Sequence, residues 1–178
     1  MKRADAKNRE RKAVFMKYAW IAAALAALDQ GIKQNIEEQE DQSLPRDLPC
    51  AKGWIRLHKN HNAGFPFGFL KSKPQMVQTI PLMMTSALAG ALATLYDRRD
   101  GAAGILERFG LAVALGGAIS NTWDRMVRGY VVDYFSVQWK GLKRVVFNLG
   151  DIFIFLGAVI VLIGRGLAGL KESRGDLG

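Results

Sequence analysis

Apolar residues gather along this chain into runs long enough to cross a bilayer, and stretches dense in Lys and Arg separate them. A helix needs roughly 20 apolar residues to match the hydrocarbon thickness. From Tyr18 to Leu28 the sequence is almost entirely Ala, Leu, Ile and Trp, and the helical pattern continues through Asp29 and Lys33. This predicts a first span over 18–36; a cleavable signal peptide ending near Ala24-Leu25-Ala26 is the competing reading. Residues 76–96 form an uncharged second run, with Gly90 and several Ala and Ser residues that let helices approach closely. A third span, over 104–124, starts at Glu107 and Arg108 near one interface and is apolar from Phe109 to the pair Gly116-Gly117. The fourth, over 148–169, holds Asp151 as its one charge before Arg165 marks the far interface.

Between the first two spans the pattern changes period. Ile55 and Leu57 alternate with Arg56 and His58, which suggests a short strand in an otherwise polar, Pro-containing segment. After the third span Phe135, Val137 and Trp139 alternate with Ser136 and Gln138 before Lys140-Gly141 turns the chain toward Val145-Val146-Phe147. This predicts a second pair of strands and a small sheet capping the bundle.

Four spans put both termini on one side. The tail 1–17 carries seven Lys and Arg residues against Asp5 and Glu10, too polar to pack a core, so it reads as a disordered or surface-bound cytoplasmic arm. The expected fold is an all-α membrane domain over 18–170, with four transmembrane helices, an extracytoplasmic β-sheet cap and cytoplasmic tails at 1–17 and 171–178.

Composition adjusts this picture only slightly. The 178 residues are 49% hydrophobic and 23% charged, an average over two kinds of segment. The formal charge of +9 lies in tails and loops flanking apolar runs, where it meets anionic lipid headgroups rather than nucleic acid. Cys50 is the sole cysteine, so no intrachain disulfide supports the fold.

The polar residues inside the spans carry the chemistry. With the amino terminus inside, the first span reaches the outer face at Asp29 and Lys33 and the third at Asn121, Asp124 and Arg125, while the fourth departs from Asn148 and Asp151. Spacings of three and four place each set on one helical face. Ionisable groups near hydrocarbon are costly unless paired or lining a wet cavity, so their convergence implies one shared polar site. Single residues of this kind are commonly interhelical hydrogen bonds or snorkelling charges; the whole set fits that reading poorly. On spacing and depth alone, Asp151 and Asp124 are the candidate carboxylates.

Four blocks resemble the lipoprotein signal peptidases (signal peptidase II): Asp29-Gln30-Gly31-Ile32-Lys33; Asn62-Ala63-Gly64-Phe65-Pro66-Phe67-Gly68; Gly116 through Tyr134; and Phe147-Asn148-Leu149-Gly150-Asp151. The third is the most specific, with Gly116-Gly117-Ala118, Asn121, Asp124-Arg125, Gly129 and Val131-Val132-Asp133 in family places. The resemblance implies an aspartic endopeptidase of the bacterial inner membrane with Asp133 and Asp151 as catalytic pair. It gives Asp29, Lys33, Asn62, Gly64, Asn121, Asp124, Arg125 and Asn148 supporting or substrate-holding roles. The implied substrate is a prolipoprotein already bearing diacylglycerol, cut before the lipidated cysteine at the extracytoplasmic face. Departures stand at Ser120, where the family usually has Gly, at Gly150, usually Ala, and at Pro66, often Ala. A glycine at 150 would loosen the start of the fourth span by up to about 1 kcal/mol relative to alanine.

Two carboxylates held close cannot both ionise easily, so one keeps a proton while the other takes a proton from the attacking water. This needs neither metal nor cofactor. His58 and His61, three apart without a nearby carboxylate, form only half a metal site. Phe65, Phe67 and Phe69 are expected to dip into lipid or form an interfacial belt. The expected partners are lipidated prolipoproteins and membrane lipids, with the chain a monomer. A small transporter or an assembly protein with an interfacial polar cluster is the alternative, although transporter sites usually lie near the midplane.

Overall fold

A computed structural model describes residues 2–64, 72–95 and 101–175. Its elements run α1 (Lys2–Glu37), β1 (Arg46–Asp47), β2 (Ile55–Asn62), α2 (Pro74–Leu95), α3 (Ala102–Val127), β3 (Val131–Val137) and α4 (Leu149–Gly175). Helices α2, α3 and α4 are long and apolar enough to cross a membrane by length and composition. Helix α1 does not reach that standard, because its apolar stretch ends at Asp29 and Lys33 after only 11 residues, Tyr18 to Leu28. It is instead continuous from Lys2, so the basic tail, expected as a disordered or surface-bound arm, is helical here. The end of the second expected span, Tyr96, lies outside the described residues.

Helix α3 is the hub. It packs on α1, α2 and α4, and 67% of its apolar window is buried, against 11% for α2 and for α4. The outer helices turn Trp20, Met83, Met84, Phe155 and Leu162 outward, an apolar surface suited to lipid rather than water. Tyr18, Ala22, Leu92, Leu111, Ala112 and Leu115 form the core among α1, α2 and α3.

Glycines set the distance between α3 and α4. A Cβ on Gly117 would stand 2.2 Å from the Gly150 carbonyl oxygen, and one on Gly157 would stand 2.4 Å from the Ala114 amide nitrogen. With no side chains in between, the two backbones meet almost directly.

The sheet is three-stranded and antiparallel in the order β1-β2-β3. Strand β2 falls where the alternation of Ile55 and Leu57 places it. Strand β3 starts earlier than expected, at Val131, and the segment expected to pair with it is not a strand. Lys140–Arg144 is a 3₁₀ turn, and Phe147 alone bridges back to Phe135. Ile36, Val132 and Tyr134 form a second small core that seats the sheet on α1.

Candidate active site

The site begins with the start of α4. An α-helix leaves its first amide N–H groups without intrahelical partners. Asn148 supplies one acceptor: its Oδ1 takes the Asp151 N–H at 2.9 Å, while Asp151 Oδ2 takes the Asn148 N–H at 3.3 Å. This reciprocal pattern is a capping box, so Asp151 is held in place by the same bonds that start the helix. Its other oxygen, Oδ1, accepts from Asn121 Nδ2 of α3 at 2.8 Å.

Asp133 arrives by a different route. Helix α3 ends where Arg128 and Gly129 both donate backbone N–H groups to the Asp124 carbonyl, with Gly129 at φ +79°, a left-handed conformation that favours glycine. The chain then turns into β3, whose first residues are all buried. Antiparallel pairing sets Asn62 of β2 against Val131, and Asn62 Nδ2 donates to Asp133 Oδ2 at 3.1 Å. Asn148 Nδ2 donates to Asp133 Oδ1 at 2.8 Å. Asn148 therefore touches both aspartates, Asp133 with its amide and Asp151 as its cap. Burial, and then the negative charge of Asp151, push the Asp133 carboxyl up to about 6.

Beneath the pair lies a buried ionic cluster. Lys33 Nζ meets Asp29 Oδ2 at 2.8 Å and Asp124 Oδ2 at 3.0 Å, and donates to Asn121 Oδ1 at 2.8 Å. Lys33, Asp29 and Asp124 are fully buried. Asp29 Oδ1 accepts the Tyr134 hydroxyl at 2.9 Å and the Leu149 N–H at 3.1 Å, which caps α4 a second time with an anion. Burial and the Asp29 charge push the Tyr134 phenol up, so it stays a donor. Asp124 also pairs with Arg128 and accepts the Val132 N–H at 3.1 Å, tying α3 to β3. Arg125 reaches the other way: it donates to the Gly64 carbonyl at 3.3 Å, while Gly64 N–H closes a turn onto Asn62 Oδ1 at 3.1 Å.

All ten residues singled out in the sequence thus meet in one network. Spacing read Asp124 as a candidate acid–base group. The structure places it deep in ion pairs, while Asp133 accepts from the amides of Asn62 and Asn148. Three contributors escaped the sequence reading as parts of the site. Ser120 and Gln30 bond within the ionic cluster, and Tyr134 holds Asp29. Gln30 has a readable signal, because it is four residues before Gln34 and both meet Arg128. The histidines are corrected: His61 does meet a carboxylate, Glu37, at 2.8 Å, whereas His58 bonds Ser136 at 2.7 Å. Pro66, Phe65, Phe67 and Phe69 lie outside the described residues.

The site can be set beside known proteins. A lipoprotein signal peptidase of Mesorhizobium japonicum is 31% identical over 155 residues, covering 87% of this chain and 88% of its own. One from Aeromonas hydrophila is 27% identical over 150 residues, covering 83% and 87%. A solved bacterial membrane enzyme, obtained by the in meso method, shares the fold with a TM-score of 0.69 at 21% identity, covering 88% of this chain and 89% of that one. The family described as "Signal peptidase (SPase) II" matches residues 21–165, which include the described ionic cluster, both aspartates and Asn148. On a match of that extent, the chain belongs to the signal peptidase II family.

Proposed function

We propose that this chain is a membrane aspartic endopeptidase that removes signal peptides from diacylglyceryl-modified prolipoproteins, cutting before the lipidated cysteine, with Asp133 and Asp151 as its catalytic pair. The observation that carries this is Asn148, which binds both aspartates at once at the head of α4. Because the Asp133 carboxyl is held up to about 6, Asp133 is the member that bears the shared proton in the reactive form of the pair, a form that fades as pH rises through about 6. Asp151 takes a proton from water, and the resulting hydroxide attacks the scissile carbonyl carbon. Asp133 gives its proton to the carbonyl oxygen. When the tetrahedral intermediate collapses, the proton on Asp151 passes to the departing amine and the oxygen returns its proton to Asp133. No metal or cofactor enters this sequence.

Asn62, Gly64, Asn121, Asn148 and Arg125 line the approach and hold substrate backbone, whereas Asp29, Lys33 and Asp124 hold the frame. Helix α1 is the fourth crossing: its charged residues Asp29 and Lys33 pair with each other inside the bundle, which lowers their cost in hydrocarbon. Both termini lie in the cytoplasm, by the basic residues preceding Tyr18. The sheet and the pair then face the extracytoplasmic side of the inner membrane. The chain works as a monomer among membrane lipids.

The test is complementation in cells depleted of their own lipoprotein signal peptidase. Wild type should clear lipidated precursors, and Asp133→Asn and Asp151→Asn should leave them uncut. Equal processing by all three sinks the pair. Uncut precursors with a normally inserted wild type sink the peptidase reading and favour a transporter or assembly role.

A further inference from the structure

Ser120 and Gly150 meet the same atom, Asp29 Oδ2. Ser120 is fully buried in α3, and its hydroxyl donates to Asp29 Oδ2 at 2.6 Å while accepting from Lys33 Nζ at 3.2 Å and Gln30 Nε2 at 3.0 Å. Gly150, in the first turn of α4, faces that oxygen too. A Cβ on Gly150 would stand 3.0 Å from Asp29 Oδ2, 3.0 Å from Asn148 Oδ1 and 3.1 Å from Asn121 Oδ1.

None of the three oxygens is free to retreat. Asp29 Oδ2 is held by Ser120 and Lys33, Asn148 Oδ1 caps the Asp151 N–H, and Asn121 Oδ1 accepts from Lys33. Two of these groups also set Asp151 directly: Asn121 through Nδ2 on its carboxylate, and Asn148 through its backbone. A methyl group at 150 would therefore push on the supports of Asp151.

We propose that Ser120 is a positioning residue coupled to Gly150. Its hydroxyl fixes Asp29 where only glycine fits at 150, and that arrangement sets Asp151. A glycine at 120 removes both hydroxyl and Cβ, so Asp29 can pivot about its Oδ1 anchors, Tyr134 and Leu149 N–H, into the vacated space. Alanine at 150 then fits. Gly150 is thus the complement of Ser120 rather than a loosened helix start. The inference rests on Asp151 belonging to the catalytic pair.

The test uses the purified full chain in detergent with a fluorogenic diacylglyceryl prolipoprotein peptide, reading kcat, KM and thermal midpoint. Gly150→Ala alone should lower kcat about tenfold with KM within about twofold, since sub-ångström misplacement of a reacting group suffices for such a loss. Ser120→Gly alone should lower kcat a few-fold. The double variant should return to within about threefold of wild type. If the two effects multiply instead, or Gly150→Ala is as active as wild type, the coupling is wrong. If Gly150→Ala fails to fold, recovery of folding in the double variant supports the coupling, and failure of both overturns it. Asp151→Asn, run in parallel, separates the levels: retained activity there refutes the catalytic pair, whereas multiplying effects with a dead Asp151→Asn refute only the coupling.

Discussion

Replacing Asp133 by Asn should remove activity and stabilise the fold together, and the second effect should depend on pH. The Asp133 carboxyl rises from its ordinary 3.8 to about 6 in the folded chain. A raised carboxyl favours the fold while protonated, so its contribution is fully present below 3.8 and is lost as pH rises through about 6. At neutral pH the wild type carries the whole cost of ionising it. About two pH units at ~1.36 kcal/mol each gives on the order of 3 kcal/mol. Asn is neutral throughout and avoids that cost. It loses part of the gain, because Asn62 Nδ2 and Asn148 Nδ2 both donate to Asp133, and one of them would face an amide donor. That mismatch costs about 1–2 kcal/mol. The net is about 1–2 kcal/mol of stabilisation near pH 7.5, roughly 2–8 °C in midpoint for a chain of this size. Thermal unfolding of wild type and variant in one detergent, from pH 4 to pH 7.5, reads it directly. The gain should shrink to nothing or reverse near pH 4, while peptide cleavage falls at least about a hundredfold at every pH. A variant less stable at neutral pH, or a gain that ignores pH, refutes the reasoning.

Lys33→Met should destabilise the fold by about 3–5 kcal/mol, because it strands Asp29 and Asp124 as buried anions; denaturant unfolding in detergent measures it. Asn148→Ser should keep most stability and lose activity: its hydroxyl still caps α4 but cannot reach Asp133, whereas Asn148→Ala should also lose about 1 kcal/mol of stability. Comparing midpoint with kcat across the two separates cap from bridge. Gly117→Ala should cut the yield of folded protein sharply, because its methyl would meet the Gly150 carbonyl at 2.2 Å and force α3 from α4; size-exclusion recovery reports it.

Helical spacing made the helix-borne half of the site legible. Asn148 and Asp151 three apart, Asn121, Asp124 and Arg125 within one turn, and Asp29 and Lys33 four apart each share a face, and one polar site is the economical use of three such faces. Asp133 could not be found that way, since its partner Asn62 is 71 residues distant and arrives through strand pairing. Tyr134 was hidden for a related reason. Alternation would turn it away from the face of Asp133, yet Val131 through Tyr134 are buried on both faces of β3, so neighbours in sequence serve one cluster. Asp124 shows the opposite case: Arg125 is adjacent in sequence, but the geometry of a helix brings Arg128, one turn on, to its carboxylate, while Arg125 reaches Gly64.

Charge balance ties the ionic cluster to the chemistry of the pair. Among the described residues, four carboxylates, Asp29, Asp124, Asp133 and Asp151, share the site with three cations, Lys33, Arg125 and Arg128. In a low-dielectric bundle an uncompensated charge is costly, and a single proton on the carboxylates brings the set to neutrality. Asp29 and Asp124 are committed to Lys33 and Arg128, so that proton falls to the pair. Asp133 takes it up as pH falls through about 6, because burial and then Asp151 raise its carboxyl. The same frame that stabilises the bundle therefore leaves one acid and one base among the two aspartates that Asn148 bridges, which is the state that the proposed hydrolysis requires.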